Sequence, residues 1–352
     1  MKAILLTRHG PPSVLRVSEV STPSPREGEV RVRLQRIGVN YAEVLSRKGL
    51  YGWAPKRPYI LGMEGFGEVD ALGPGVEGRR IGEQVIVGAQ HGCYAEQVCV
   101  PAHQALPAVE GFTAEENAAF AVNYVTAWVS LFEMARLRPT DVVLVQAAAG
   151  GVGTAAVQLA KRLGCTVYGT AGADDKLELL LRLGADAAVN YRTIDFEAEV
   201  RRLTEGRGVD VVLELVGGEV YRKSLRVLAP MGRLVVAGFA SLDLRRWNPF
   251  SWWRTWRDIP RTDIRDMAPR SYGVLATHVG YLLSERTRMA SLWADLVGFV
   301  RRHGIRPVVG SVFGFDRMAE AHALLESRRS LGKIVVEVTP FPIHSHSARP
   351  RV

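Results

Sequence analysis

Hydrophobic and polar positions alternate strictly in Glu29-Val30-Arg31-Val32-Arg33-Leu34-Gln35, with Val30, Val32 and Leu34 on one side. A period of two predicts a half-buried strand. Residues 65–72 predict a second strand, its glycines marking bulges or close approaches. Pro74-Gly75-Val76-Glu77-Gly78 reads as a turn, and 84–87 and 94–100 read as a further pair of strands. Thr113-Ala114-Glu115-Glu116 has the form of a capping box, with Thr113 as N-cap and Glu116 three residues on. Residues 1–123 therefore read as all-β with turn punctuation, up to that helix start.

From residue 124 the period changes. Apolar runs at 142–146, 166–170, 187–190, 210–214, 233–238 and 274–277 read as strands. Between them, 177–183, 197–203 and 220–228 carry helical spacing. Alternating strand and helix implies an α/β fold with a parallel, doubly wound sheet. After about residue 289 comes an apolar helix carrying Leu292, Leu296, Phe299 and Val300. A strand at 308–313, a helix at 316–326 and a strand at 334–338 follow. The tail, 341–352, is rich in Pro, Ser, His and Arg and is expected to be disordered.

The first strand of the second half ends in Ala147-Ala148-Ala149-Gly150-Gly151-Val152-Gly153 and opens a helix with Ala155, Leu159 and Leu163 on one face. Strand, tight turn and helix are the setting of a dinucleotide fingerprint. Ala148 takes the first glycine position, while Gly150 and Gly153 hold the other two. Gly150 lets backbone approach a pyrophosphate, and Gly153 lets helix and strand pack closely. The N–H groups of Gly151 and Val152 then face phosphates at the positive end of the helix.

Composition narrows this little. A chain of 352 residues suggests two domains. Cys93, Cys99 and Cys165 have neither metal spacing nor an even-numbered disulfide frame, so a reducing, cytoplasmic location is expected. No window approaches a transmembrane span. The net charge of +9 is dominated by Arg, and residues 245–270 concentrate it. No nucleic-acid module is found by pattern, and an Arg-rich solvated face is the simpler reading.

Several separated motifs resemble the medium-chain dehydrogenase/reductase superfamily, over roughly residues 1–339. They are Gly38-Val39-Asn40-Tyr41-Ala42-Glu43, Gly62-Met63-Glu64-Gly65-Phe66-Gly67-Glu68-Val69, Thr126-Ala127-Trp128, the 147–153 turn and Gly332-Lys333-Ile334. Within it the chain resembles the zinc-free quinone oxidoreductases. Val122-Asn123-Tyr124-Val125-Thr126-Ala127 and His278-Val279-Gly280-Tyr281-Leu282 suggest the branch of the synaptic-vesicle membrane (vesicle amine transport) protein. The resemblance implies a GroES-like β-rich catalytic domain from residues 1–123 and 289–340, and a Rossmann NADP-binding domain from 124–288. It also implies a homodimer, joined through the edge strand near 274–277.

The zinc-bearing relatives use Cys, His and a third Cys or acid. Here those positions are Asn40, Met63 and Val122, with Glu64 beside them and only a short 88–93 loop in place of the four-cysteine lobe. That set is not a catalytic zinc site, so no metal is expected. NAD-selective Rossmann domains carry an acid at the end of the second strand; alignment puts Ala171 there, which permits NADPH. Lys176 and Tyr191 are implied contacts of its 2′-phosphate, Arg192 lies next to them, and Asp174 and Asp175 argue the other way. The remaining implied cofactor contacts are Thr126, Ala149, Gly150, Gly151, Val152, Thr170, Gly172, Val216, Gly238, Phe239, Val274 and Lys333.

Without a metal, hydride transfer needs a substrate that is intrinsically reactive or polarised by hydrogen bonds. Quinones and α,β-unsaturated carbonyls meet that condition. Asn40, Tyr41 and Tyr51 are the candidate catalytic groups, against a bland reading of the tyrosines as interface packing. No catalytic His can be assigned, and His91 and His103 read as loop residues. Arg245-Arg246-Trp247-Asn248-Pro249-Phe250-Ser251-Trp252-Trp253-Arg254-Thr255-Trp256-Arg257 holds four of the seven Trp. It reads as a packed helix, a substrate lid or, ranked below these, a contact for anionic lipid. The rival to a reductase is a weakly or non-enzymatic NADP-binding protein that meets membrane lipid or a protein partner through this insertion.

Overall fold

The structure, a computed structural model, describes residues 1–238 and 262–338. Phe239, the 245–257 insertion and the 341–352 tail lie outside the described residues.

Six strands form one parallel sheet in the spatial order Ala187–Asn190, Thr166–Ala171, Val142–Val145, Val209–Glu214, Leu228–Val236, Gly273–Ala276. The first strand of this half lies inside the sheet, and the chain winds outward from it in both directions, which is the Rossmann topology. Val143, Leu144 and Val145 are wholly buried, because helices cover both faces of such a sheet. Among the described residues the Gly273–Ala276 strand is one edge of this sheet and Ala187–Asn190 the other.

Five of the six strands fall within two residues of their expected limits. Leu228–Val236 begins five residues earlier than expected. Val209 pairs with Leu228, and a register shift then brings Val211 opposite Arg233. The preceding helix accordingly stops at Arg226.

The second large sheet is seven-stranded. Glu29–Val39 is central, flanked by Glu64–Leu72 and by Lys333–Glu337. The C-terminal strand pairs antiparallel with it, Ile334 opposite Val39 and Val336 opposite Ile37. Val30, Val32 and Leu34 are buried as the alternation requires. The expected 94–100 strand divides its partners. Its first part meets the N-terminal strand, with Ile4 N–H donating to the Tyr94 carbonyl at 2.8 Å, while Gln97–Pro101 pairs with Glu29–Val39.

The all-β reading of residues 1–123 is corrected by a helix at Tyr41–Lys48. Its sequence signal was present. Asn40 is the N-cap, its N–H donating to the Glu43 carboxylate at 2.8 Å, and Gly49 ends the helix in the left-handed region at φ 77°. The Thr113 box holds as expected: Thr113 Oγ1 accepts from Glu116 N–H at 3.2 Å, and Thr113 N–H donates to the Glu116 carboxylate at 2.8 Å.

Candidate active site

Asn40 sits where the central strand of the catalytic sheet turns into the Tyr41–Lys48 helix, and it is buried. Its side-chain amide is held from both ends. Lys333 Nζ donates to Oδ1 at 2.6 Å, while Nδ2 donates to Glu64 Oε1 at 3.0 Å. Lys333 also pairs directly with Glu64, and the two side chains are 2% and 0% exposed. Glu64 further accepts from Val122 N–H at 2.9 Å. Strand pairing is the cause: residues 38–40, 64 and 333 are adjacent in the sheet, though far apart in the chain. Asn40, expected to present its amide to a substrate, spends both amide hydrogens on protein acceptors. Lys333, expected to meet the cofactor, directs its ammonium at Asn40 and Glu64.

A second buried carboxylate lies behind. Glu43 accepts from Asn40 N–H, from Met63 N–H at 2.7 Å and from Tyr94 Oη at 2.5 Å. Burial pushes its carboxyl up, against the pull of these donors and of Lys333. Tyr94 Oη lies 2.8 Å from His322 Nε2. Burial, aided by the Arg47 charge, drops His322 to about 3, so it is neutral. Nothing in the local sequence around Tyr94 or His322 signals this network; only the fold assembles it.

The glycine turn lies where the Gly151–Leu163 helix begins. Among the described residues no side chain caps that helix, so its first N–H groups and positive pole are open to a ligand. Gly153 is required sterically, since a Cβ there would meet the Ala147 and Ala148 carbonyls at 2.5 Å. A Cβ on Gly151 would lie 2.5 Å from Asn123 Nδ2. The left-handed residue of the turn is Ala147, at φ 49°. Gly332 N–H donates to the Ala149 carbonyl at 2.8 Å, and Gly150 bridges Gly332. The turn is therefore fastened to the catalytic sheet one residue before Lys333. Thr126 stands on the helix Ala121–Trp128, while buried Thr170 spends its hydroxyl on Gln146 Oε1 at 2.6 Å.

At the end of the second strand, Gly172 is crowded by Tyr191 and Arg192; a Cβ there would meet Tyr191 Oη at 2.6 Å and Arg192 Nε at 3.1 Å. Lys176 is half-buried, and burial with the Arg192 charge holds its ammonium below the usual range, against Asp175. Lys176 Nζ donates to the Arg328 carbonyl at 2.7 Å. Lys176, Tyr191 and Arg192 thus gather around Gly172, and the C-terminal segment joins them.

Beyond the fourth strand, buried Glu214 accepts from Val216 N–H at 2.8 Å and Gly217 N–H at 2.9 Å. Burial raises it to about 7. It shapes the loop carrying Val216, and sequence reasoning missed it. Gly238 follows the fifth strand, and a Cβ on it would lie 3.1 Å from the Leu215 carbonyl. Val274 lies in the edge strand.

Tyr41 opens the 41–48 helix and is partly buried. Tyr51 lies across the domain junction from the end of the edge strand, its Oη 2.7 Å from His278 Nε2. Trp53 and Tyr281 pack on the same imidazole, with centroids at 5.3 and 4.6 Å. Among the described residues no three His, Cys, Asp or Glu side chains are grouped as a metal site, and no helix is long and apolar enough to cross a membrane.

Comparison with known proteins agrees with this architecture. Residues 26–111 match the alcohol dehydrogenase GroES-like domain, and residues 151–259 match the zinc-binding dehydrogenase domain. The human synaptic vesicle membrane protein VAT-1 homolog is 36% identical over 320 residues, covering 90% of this chain and 81% of the relative. The Escherichia coli quinone oxidoreductase complexed with NADPH superposes with a TM-score of 0.86 at 27% identity, covering 96% of this chain and all of the other. The Thermus thermophilus quinone oxidoreductase, solved also as its NADPH complex, gives 0.77 at 36% identity over 96% of this chain and all of its own. With its GroES-like sheet, its Rossmann sheet and these relatives, the chain belongs to the medium-chain dehydrogenase/reductase superfamily.

Proposed function

We propose that the protein is an NADPH-dependent, zinc-independent reductase of quinones or α,β-unsaturated carbonyls. The observation that carries this reading is the bond between Gly332 and Ala149. It ties the uncapped dinucleotide turn to the strand whose next residue, Lys333, holds Asn40. The residues fit the cofactor. Gly150, Gly151 and Val152 at the helix start would receive the diphosphate, and Lys176, Tyr191 and Arg192 around Gly172 would receive a 2′-phosphate. When bound, NADPH supplies a hydride.

The donor set does not fit zinc, although one matched domain bears that name. Asn40 and Met63 offer a neutral amide and a thioether, both poor ligands. The amide oxygen and Glu64 are already bonded to the Lys333 ammonium. An internal cation thus occupies the chemical role between them, and no step is routed through a metal. The substrate's own conjugation must then carry the charge of hydride addition, as quinones and enones do. A homodimer through Gly273–Ala276 and a cytoplasmic location belong to the same reading.

The rival, a lipid- or partner-binding protein of weak activity, draws on residues 245–257, outside the described residues. The reductase draws on described geometry and is carried forward. Steady-state oxidation of NADPH against a panel of quinones and enals tests it. Turnover with at least one acceptor is expected; an intact NADPH-binding protein inert to all of them refutes it.

A further inference from the structure

We propose that His278 is a positioning residue for Tyr51, donating from Nε2 to the phenol oxygen so that the phenol proton is free for the substrate. The inference rests on the reductase reading and deepens it. Tyr51 comes from the catalytic domain, just after the Gly49 helix end. His278 comes from the C-terminal end of the edge strand, where Thr277 N–H still bonds to the Val236 carbonyl at 3.0 Å. Ligands of open α/β sheets bind outside those strand ends. The two side chains therefore meet where the catalytic domain faces the reacting end of the Rossmann sheet.

The contact is built rather than incidental. The phenol and imidazole rings stack at 5.6 Å with 26° between planes. Trp53 walls the imidazole edge-on, and Tyr281 leans on it beside Trp53, their centroids 5.8 Å apart. Gly280 has no Cβ, and one there would lie 2.4 Å from the Trp53 ring; the indole rests on backbone. Tyr51 also lines an open cleft of about 510 Å³, with Lys56, Arg57 and Tyr59.

The tautomer decides the chemistry. Burial holds the imidazole neutral, so it carries one proton. Among the described residues its buried Nδ1 makes no hydrogen bond, although its own backbone, which pulls toward a protonated ring, bears on it. A buried N–H without a partner is rarer than a bare acceptor. The proton therefore belongs on Nε2, where Tyr51 Oη accepts it. The charged or ionisable groups acting on Tyr51 are Glu43 and Tyr281, and both, with burial, oppose the phenolate. An N–H donor at the oxygen offsets that.

In the step, hydride adds to the β-carbon of an enone and the C=C electron pair moves to the carbonyl oxygen. The α-carbon of the resulting enolate takes the Tyr51 proton, and the O–H pair stays on the phenolate. His278 stabilises the phenolate and keeps its own proton. Water in the cleft reprotonates Tyr51, and the hydroxide formed is neutralised by buffer.

Two measurements test this. In ¹⁵N NMR of the full chain, His278 is expected as the Nε2–H tautomer; Nδ1–H overturns the proposal without any activity measurement. In kinetics on an enal, His278→Phe keeps the ring packing but removes the donor. It is expected to lower kcat by about 10- to 100-fold, with the NADPH KM unchanged. His278→Gln should recover part of the loss, and Tyr51→Phe/His278→Phe should be no slower than Tyr51→Phe alone. A His278→Phe enzyme within about twofold of an active wild type overturns the proposal. A wild type inert to every acceptor instead overturns the reductase reading, and is recognised before any variant is compared.

Discussion

Replacing Lys333 by Met would leave a side chain of similar length and remove the charge. The cost can be reasoned from its surroundings. Glu64 is fully buried and, among the described residues, would keep Val122 N–H at 2.9 Å and Asn40 Nδ2 at 3.0 Å. Breaking one side of a buried pair typically costs about 3–5 kcal/mol, because the other charge stays in a low-dielectric interior. Asn40 Oδ1 also loses its 2.6 Å donor. Neutralising both partners, as Lys333→Met/Glu64→Gln, removes the uncompensated charge, and such replacements run from neutral to stabilising. The double variant should therefore be more stable than Lys333→Met by about 2 kcal/mol or more. Urea unfolding at matched m-values measures it, with far-UV circular dichroism as the signal. A Lys333→Met cost below about 1 kcal/mol, or strictly additive single effects, would refute the account of a coupled buried pair.

Lys176→Met should lower NADPH affinity about tenfold and leave NADH affinity unchanged, read by titration calorimetry, since a charge-assisted contact to the 2′-phosphate is what the second lacks. The wild type should bind NADPH at least tenfold tighter than NADH; equal affinities would remove the selectivity argument. Glu214 and His322 should give opposite pH slopes. Glu214 titrates near 7 folded against an ordinary 4.5, so the folded protein binds the extra proton and this contribution falls as pH rises from about 4.5 to 7, by at most about 3 kcal/mol. His322 titrates near 3 folded against 6.5, so its contribution is lost as pH falls below about 6.5. Relative to wild type, Glu214→Gln should become less stable toward acid and His322→Gln less stable toward neutral pH; unfolding curves at stepped pH with unchanged differences would refute both. Gly153→Ala must push a methyl against two carbonyls at 2.5 Å. It should cost about 1–3 kcal/mol and weaken NADPH binding, whereas an unchanged melting temperature and affinity would show that the turn yields.

The dinucleotide turn was legible because its chemistry is local: a β-branched run, small residues and a helix start occupy the twelve consecutive positions 142–153. The Tyr41–Lys48 helix was equally local in its caps, Asn40 with Glu43 and then Gly49, yet eight residues between two strands were absorbed into a β reading. The division of the 94–100 stretch between two partners was not legible, since alternation says which face is buried and not which strand lies alongside. Asn40 was found as a residue, but its hydrogen-bond partners within the chain were not. Its partners are Lys333 and Glu64, and they arrive through sheet register.

By itself, then, the sequence determined the order of elements, the glycine turn at the helix start and the neighbourhood of Gly172, Lys176 and Tyr191. Each depends on residues close together in the chain, where backbone sterics and hydrogen-bond valence act directly. Only the tertiary structure decided that Lys333 neutralises Glu64, that Tyr94 joins Glu43 to His322, and that Tyr51 meets His278 across the domain junction. Those pairings span between 51 and 269 residues. Burial gives them their energy, because a charge or hydroxyl withdrawn from water must find its partner wherever the fold has placed one.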